Sequence, residues 1–275
     1  VAGIDGLKIY ISDRRHGNMS LTNFKSIDYL NNNGKVSYYF RQAATYPRFY
    51  GKTILNRYRF LRTLGLDLRK AFCPTLGLTD EIQVINKRNW FMFEDSGTIF
   101  KSRTRCDAVI TNIADLALMF NVADCPVVHV YDARKIILGK IHSGRVNTLK
   151  NITGKTVQKM KKKFSCKEED MIATFASPFL RACCNFMFYL GFNEQDPEIQ
   201  KIMPALTEVK GGWMMDLQEA INIQLRAEGV RNIVQSDLNC TLCGGEHFSH
   251  RGWQTRHPDH PLPGRFAVVS MMTNF

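Results

Sequence analysis

The chain has 275 residues, 44% of them hydrophobic, which is enough to bury a sizeable core and excludes a disordered or fibrous protein. Its 37 Lys and Arg against 25 Asp and Glu leave a formal charge of +12, a balance that favours acidic partners such as nucleic acid or phosphorylated ligands. The eight cysteines form no dense, evenly spaced framework, so reduced thiols in a cytoplasmic or organelle-matrix setting are expected rather than a secreted disulfide scaffold.

The first residues, VAGIDGLKIYISDRRHG, lack the basic start and long apolar core of a secretory signal. In KTILNRYRFLRTLGL, Ile54, Leu55, Tyr58, Leu61 and Leu64 recur at helical spacing with basic residues opposite, predicting an amphipathic helix; its basic and aromatic mixture also suits a nucleic-acid surface. DAVIT, LALMFNV, PVVHVYD and KIILGKI predict buried strands, and a helix is expected after them in VNTLKNITGKTVQKMKKKF. MIATFA predicts a strand, DLQEAINIQLRAEGV a helix stopping near Gly229, and RFAVVSMM a final strand. PFLRACCNFMFYLGF, interrupted by Arg181, is too short to span a bilayer and predicts a buried element, so no membrane partner is expected. With no repeat or long linker, residues 1–275 are expected to form a single mixed α/β domain, a central mixed β-sheet flanked by helices.

The stretch VADCPVVHVYDARKIILGKIHSG places Cys125 before one predicted strand and His142 at the end of the next. A hairpin with Ala133 and Arg134 as its two loop residues sets Cys125 directly opposite His142, with Cβ atoms roughly 4.5–5.5 Å apart. Such a thiol and imidazole can touch or share a metal; the plain alternative is a small buried cysteine and a satisfied strand-end histidine. Ala-Arg is not a favoured pair for so tight a turn, and a slip of one residue would move one group to the other face. Beyond His142 the strand turns into a helix, where Ser143 can cap and the N–H groups of Ser143, Gly144 and Arg145 offer an anion site. Arg145 opposes the helix dipole there by about 0.3–1 kcal/mol, a penalty that a bound phosphate or carboxylate removes.

Other motifs are weaker. TGKT at Thr153 to Thr156 lacks the first glycine of a phosphate loop and is expected to be helical. KMKKKF suits RNA or, more simply, a solvated helix end. CTLCGGEHFSH offers Cys240, Cys243, His247 and His250 as zinc donors without the spacer of a zinc finger. SHRGWQTRHPDHPLPGR gathers Arg251, Arg256, Arg265 and three histidines in an expected loop, suiting a phosphate or ribose contact as well as plain exposure.

Several short motifs run in order: SDRRHGNMS with Arg14, Arg15, Gly17 and Ser20; Asn56-Arg57; QVIN at residues 83–86; Asp107 to Thr111; ADCP at Ala123 to Pro126; HSGRVN; SPFLRACCNFM; Cys240-Thr241; FSHR; and Gly264-Arg265. Together they resemble, nearly end to end, the laccase-domain or polyphenol oxidase family, whose members are also described as purine nucleoside phosphorylases. The resemblance implies an enzyme that joins phosphate to the ribose carbon of a purine nucleoside, releases the base, and can deaminate adenosine. It implies zinc held by Cys125, His142 and a third ligand whose place is taken here by Ile85, leaving a coordination position open. It further implies catalytic roles for Cys125, His142 and Arg251, and an anion site at Ser143, Gly144, Arg145 and Arg15. Ile85 cannot ligate a metal, so His129, Cys106 or His16 would have to supply the third donor. Val146 stands where the motif has arginine, and Asn185-Phe186 where it has Tyr-Glu. The family name implies copper, but no His-x-His occurs among the seven histidines, which sets oxidase chemistry aside. Two other readings stay open: a catalytically inactive member serving as a basic RNA- or protein-binding subunit, and a Cys-His hydrolase in which His142 activates the Cys125 thiol.

Overall fold

Branched and aromatic runs form strands β1 (Leu7–Ile11), β2 (Ala71–Phe72), β3 (Ile82–Ile85), β4 (Ala108–Thr111), β5 (Ala117–Val122), β6 (Val127–Asp132), β7 (Ile137–His142), β8 (Met171–Phe175), β9 (Phe186–Phe188), β10 (Leu206–Val209), β11 (Gly212–Met215), β12 (Asn232–Val234) and β13 (Phe266–Met272). The helices are α1 (Pro47–Thr63), α2 (Arg145–Leu149), α3 (Ile152–Phe164), α4 (Pro197–Ile202), α5 (Leu217–Ala227), α6 (Thr241–Gly244) and α7 (His250–Gln254). This computed structural model describes residues 4–20, 47–66, 70–90, 105–188, 193–259 and 264–273, with two-residue strands at 22–23, 29–30, 36–37 and 41–42.

Two mixed sheets dominate. One has the order β1-β13-β5-β2 and the other β12-β8-β6-β7-β4-β3, while β9-β11-β10 form a small third sheet. Side chains alternate across each strand. Val109, Val127, Tyr131 and Leu138 of the larger sheet therefore meet Phe72, Leu118, Phe120, Phe266 and Val268 of the smaller in one shared core. The alternate residues Val128, Val130 and Ile141 pack under Val157 and Met160 of α3 and Ile221 and Leu225 of α5. Ala71, Met119 and Val269 pack under Phe60 and Leu61 of α1. The order is thus helix, sheet, sheet, helix. The flanking helices agree with expectation, but the strands divide into two facing sheets rather than one central sheet. Burial on both faces is why so many strands are continuous apolar runs.

Lys140 and His129 are among the polar side chains in the space between the sheets. The Lys140 amine donates to the carbonyls of Leu118 and Val268, at 2.7 Å each, so a strand of one sheet is tied to two strands of the other. His129 is fully buried, and that burial, with the Lys140 charge, pushes its pKa well below the usual imidazole value.

Local expectations fail where backbone conformation intervenes. The single helix expected over residues 146–164 is two, α2 and α3, because Asn151 takes a left-handed conformation at φ 55° and its side chain caps Gly154 N–H. TGKT lies within α3, as expected. The segment expected as one buried element at residues 178–192 is a short 3-10 turn, Ala182–Cys184, leading into β9; residues 189–192 lie outside the described ones. The expected loop at residues 249–265 contains α7, and residues 260–263 are likewise outside. Among the described residues, no helix is long and apolar enough to cross a membrane.

Candidate active site

The β6–β7 hairpin pairs Val127 with His142 and Asp132 with Ile137, so its loop spans the four residues 133–136, not two. Ala-Arg cannot supply the positive φ values that a two-residue turn demands. The longer loop places Ile136 at φ 54° and is closed by the Lys135 N–H donating to Asp132. The register therefore differs from expectation by two residues. Because that is an even number, Cys125 keeps the face of His142 although it is not opposite it. The Cys125 thiol lies close enough to the His142 ring to raise its pKa and is seated against Gly144, where an added Cβ would stand 2.6 Å from the sulfur.

The other side of the ring is held by Asp107, at the start of β4. Its carboxylate lies 2.7 Å from His142 Nδ1. The same carboxylate accepts the N–H groups of Gly77 and Thr79 and the Thr79 hydroxyl. Burial opposes charge on the ring, but Cys125 and Asp107 outweigh it and push the imidazole up to about 9. Burial likewise opposes ionisation of Asp107, and the bonds from His142 and Thr79 hold its pKa below the usual carboxylate value.

Three arginines close the site. Arg145 and Arg251 both donate to the Phe186 carbonyl, at 2.7 and 3.0 Å. The pKa of Arg145 is lowered by burial and then by the Arg251 charge. Arg265 is lowered by burial, against the opposing pull of Cys125 and Asp124. His250 is pushed down to about 4 by burial and by Arg265, with Arg251 and Arg145 adding to the effect against Asp124. Asp124, at φ 75°, is already engaged by the Thr241 hydroxyl at 2.6 Å and the Arg251 N–H at 2.7 Å. Arg145 and Arg265 thus stand within reach of the thiol's charge, and Arg251 adjoins Arg145 at the Phe186 carbonyl, an arrangement that favours a bound anion.

Sequence-distant residues set the position of Arg265. On α1, Asn56 donates to the Asn18 carbonyl and Arg57 to the Met19 carbonyl. Asn18 then accepts the Arg265 N–H, and the Met19 N–H donates to the Arg265 carbonyl. The Asn56-Arg57 pair thereby fixes the backbone of an arginine more than 200 residues away in the chain.

Several expected site residues are placed differently. Ser143 does not cap: its N–H donates to Pro126 and its hydroxyl contacts Thr148 and Thr153. Gly144 is the N-cap of α2, without a side-chain cap bond, and α2 is too short to form an anion site of its own. Arg15 is 89% exposed and paired with Asp13. Ile85 is buried in the core between the sheets. It lies level with Thr111 and Leu138, roughly 13 Å along the ladder from His142 at the ordinary rise per residue. The segment that does approach the pair is Leu76–Thr79, through the Asp107 bonds. Val146 is 40% exposed. The expected donor quartet also separates: among the described residues neither His247 nor His250 groups with Cys240 and Cys243, His247 meeting Phe266 edge-on and His250 packing against Trp253. Asp107 and Asp124 were visible in the sequence only inside motifs, not as site residues, whereas Arg265 stood among the loop cations that suit a phosphate contact.

The profile of the family described as multi-copper polyphenol oxidoreductase laccase matches residues 52–273. The chain belongs to that family. Its relatives include a purine nucleoside phosphorylase of Clostridium acetobutylicum, 28% identical over 181 residues, covering 60% of this chain and 75% of that one. A purine nucleoside phosphorylase of Mycobacterium bovis is 25% identical over 224 residues, covering 79% and 78%. In structure, this laccase-family chain is similar to YlmD of Geobacillus stearothermophilus, with a TM-score of 0.70 and 21% identity over 98% of this chain and 93% of that one. It is also similar to YfiH of Bacillus licheniformis, with a TM-score of 0.68, 20% identity, and coverage of 97% and 93%. Both show the same fold.

The donors at the site do not fit the three-ligand zinc of the resemblance. Cys125 and His142 are two donors, and among the described residues no group of three or more potential ligands includes them. His129 faces the space between the sheets opposite Lys140. Cys106 lies in that core with its thiol pushed to about 12 by burial and by Asp107. His16 is bonded to Asp13. The helix-end lysines at Lys161–Lys163 form the last turn of α3, where Lys161 donates to the Glu228 carbonyl.

Proposed function

We propose that this laccase-family chain carries out phosphorolysis of purine nucleosides, with inorganic phosphate held by Arg145, Arg251 and Arg265 beside Cys125 and His142. The observation that carries this reading is the placing of Arg145 and Arg265 by the Cys125 thiol, with Arg251 beside Arg145 on the Phe186 carbonyl, while the neighbouring carboxylate, Asp124, is already engaged. The relatives named purine nucleoside phosphorylase support the substrate class.

The reaction breaks the bond between the purine and the ribose carbon and forms a bond from that carbon to a phosphate oxygen. The departing base takes a proton, which His142, held by Asp107 at 2.7 Å, is positioned to give. The proton that hydrogen phosphate loses on becoming a sugar phosphate returns to the imidazole. The arginines neutralise the phosphate and align it for attack. Deamination of adenosine, which draws on metal-activated water, forms no part of the proposal because only two of the three donors are present.

The test is to incubate the purified full chain with inosine or adenosine, with and without phosphate, and to separate base from sugar phosphate. Phosphate-dependent release of both products is expected. Removing one charged hydrogen-bonding partner by Arg265→Met is expected to lower the rate about 10- to 100-fold. No release at any phosphate concentration, or release that ignores phosphate, would overturn the reading.

A further inference from the structure

Four cysteines outside the proposed active site come together from two segments distant in sequence. Cys183 and Cys184 belong to the 3-10 turn Ala182–Cys184, and Cys240 and Cys243 bracket the start of α6. Their four sulfur atoms all lie within 4.8 Å of one another, with Cys183–Cys184 and Cys184–Cys243 at 3.5 Å. We propose that these four cysteines form a second, structural metal site that holds a single zinc ion in an all-sulfur shell.

The geometry suits that ion. Zinc binds thiolate at about 2.3 Å, so the edges of a tetrahedron of four sulfurs measure about 3.8 Å, within the span observed. A disulfide needs its sulfurs at about 2.0 Å, and none of the eight cysteines is in one. The Cys-x-x-Cys spacing at Cys240 and Cys243 lets one helical turn present two ligands. Binding is a proton exchange without redox change: four S–H groups release four protons, and the ion takes four sulfur electron pairs.

The two segments are already aligned for it. Phe179 and Cys240 form a parallel bridge, and the Thr241 N–H donates to the Phe179 carbonyl at 3.1 Å. A zinc ion there would fix both walls of the arginine pocket. Phe186, whose carbonyl receives Arg145 and Arg251, lies two residues after Cys184. Thr241, which holds Asp124, follows Cys240. The inference does not depend on the phosphorylase reading.

The full chain, purified under reducing conditions without chelator, is analysed for metal content and by X-ray absorption at the zinc edge. One zinc per chain with four sulfur neighbours at about 2.3 Å is expected. It should persist in Cys125→Ala and be lost in Cys183→Ser and in Cys243→Ser, both at exposed positions. Chelation should lower the melting temperature of the wild type and leave that of Cys243→Ser unchanged. The proposal is overturned by a reduced wild type that is metal-free with all four thiols open to alkylation, by a disulfide among the four, by another metal in place of zinc, or by zinc with nitrogen neighbours that disappears in Cys125→Ala.

Discussion

Gly144→Ala perturbs the proposed active site by a single methyl group. Gly144 sits at φ −66° and ψ 173°, which alanine adopts freely, so any effect must come from contact. The new Cβ would lie 2.6 Å from the Cys125 sulfur, while its next neighbours, Asn147 Oδ1 and Cys125 Cβ, are at an acceptable 3.4 Å. Ordinary contact needs roughly 3.5–4.0 Å, so the sulfur must retreat by about 1 Å. Overpacking of this kind costs about 1–3 kcal/mol, which in a chain of this size lowers the melting temperature by about 2–4 °C per kcal/mol. The thiol adjoins the His142 ring, so shifting it by about 1 Å is expected to misplace that proton donor and lower turnover on the order of 100-fold. Thermal melts and phosphate-dependent base release measure the two effects separately. Removing the sulfur removes the collision, so in a Cys125→Ala background the same substitution should be nearly neutral, within about 0.5 kcal/mol. An equal penalty in both backgrounds would refute the seating of the thiol against Gly144.

Asp107→Asn tests the positioning of the ring. The amide retains one acceptor oxygen for the Gly77 and Thr79 donors but loses the charge facing His142. Base release should fall at least about 100-fold, as when a charged orienting partner is removed from a catalytic histidine, while the phosphate affinity stays within a factor of about two or three by calorimetry. A loss of phosphate binding equal to the loss of turnover would show that Asp107 shapes the anion pocket instead. His129→Leu tests the space between the sheets. Both ring nitrogens of His129 are buried without a hydrogen-bond partner, and each such atom costs about 1–3 kcal/mol, so the leucine variant should melt higher. The folded ring's pKa is lowered by burial, so below the ordinary value of about 6.5 the unfolded chain binds the extra proton. The stability His129 contributes through that ionisation is therefore full above pH 6.5 and lost as pH falls, by up to about 1.4 kcal/mol per pH unit. Urea unfolding at pH 7 and 5.5 should show this component in the wild type and not in the variant; equal slopes would contradict it.

The strands around the site were legible because each is buried on both faces and reads as an apolar run. Their partition into two sheets was not, since a doubly buried run does not say which neighbour covers which face. The hairpin shows the same limit at one turn. Its strands were plain, but Ala-Arg left the loop length open, and only the even size of the register shift kept Cys125 with His142. The break between α2 and α3 depends on one left-handed Asn151, a conformation that the helical periodicity of its neighbours conceals. Ile85 follows a Gln-Val pair like that of the family motif, yet the Asp107 contacts select the segment Leu76–Thr79 as the one beside the ring. Arg265 reaches the pocket through residues 18–20 and α1, and the four-cysteine cluster joins residues 183–184 to 240–243. The sequence shows Arg265 in a basic loop and Cys240 and Cys243 at ligand spacing, but not the distant residues that join them.

The central claim, an arginine pocket that holds phosphate against a thiol and an imidazole, is tested most directly by titrating inorganic phosphate into the full chain by calorimetry at low ionic strength. Saturable binding at one site per chain is predicted, weakened about 10- to 100-fold by Arg145→Met or Arg251→Met and left unchanged by Arg15→Met at the exposed turn. Heat that never saturates, or equal weakening by all three variants, would place the anion on the basic surface and contradict the account.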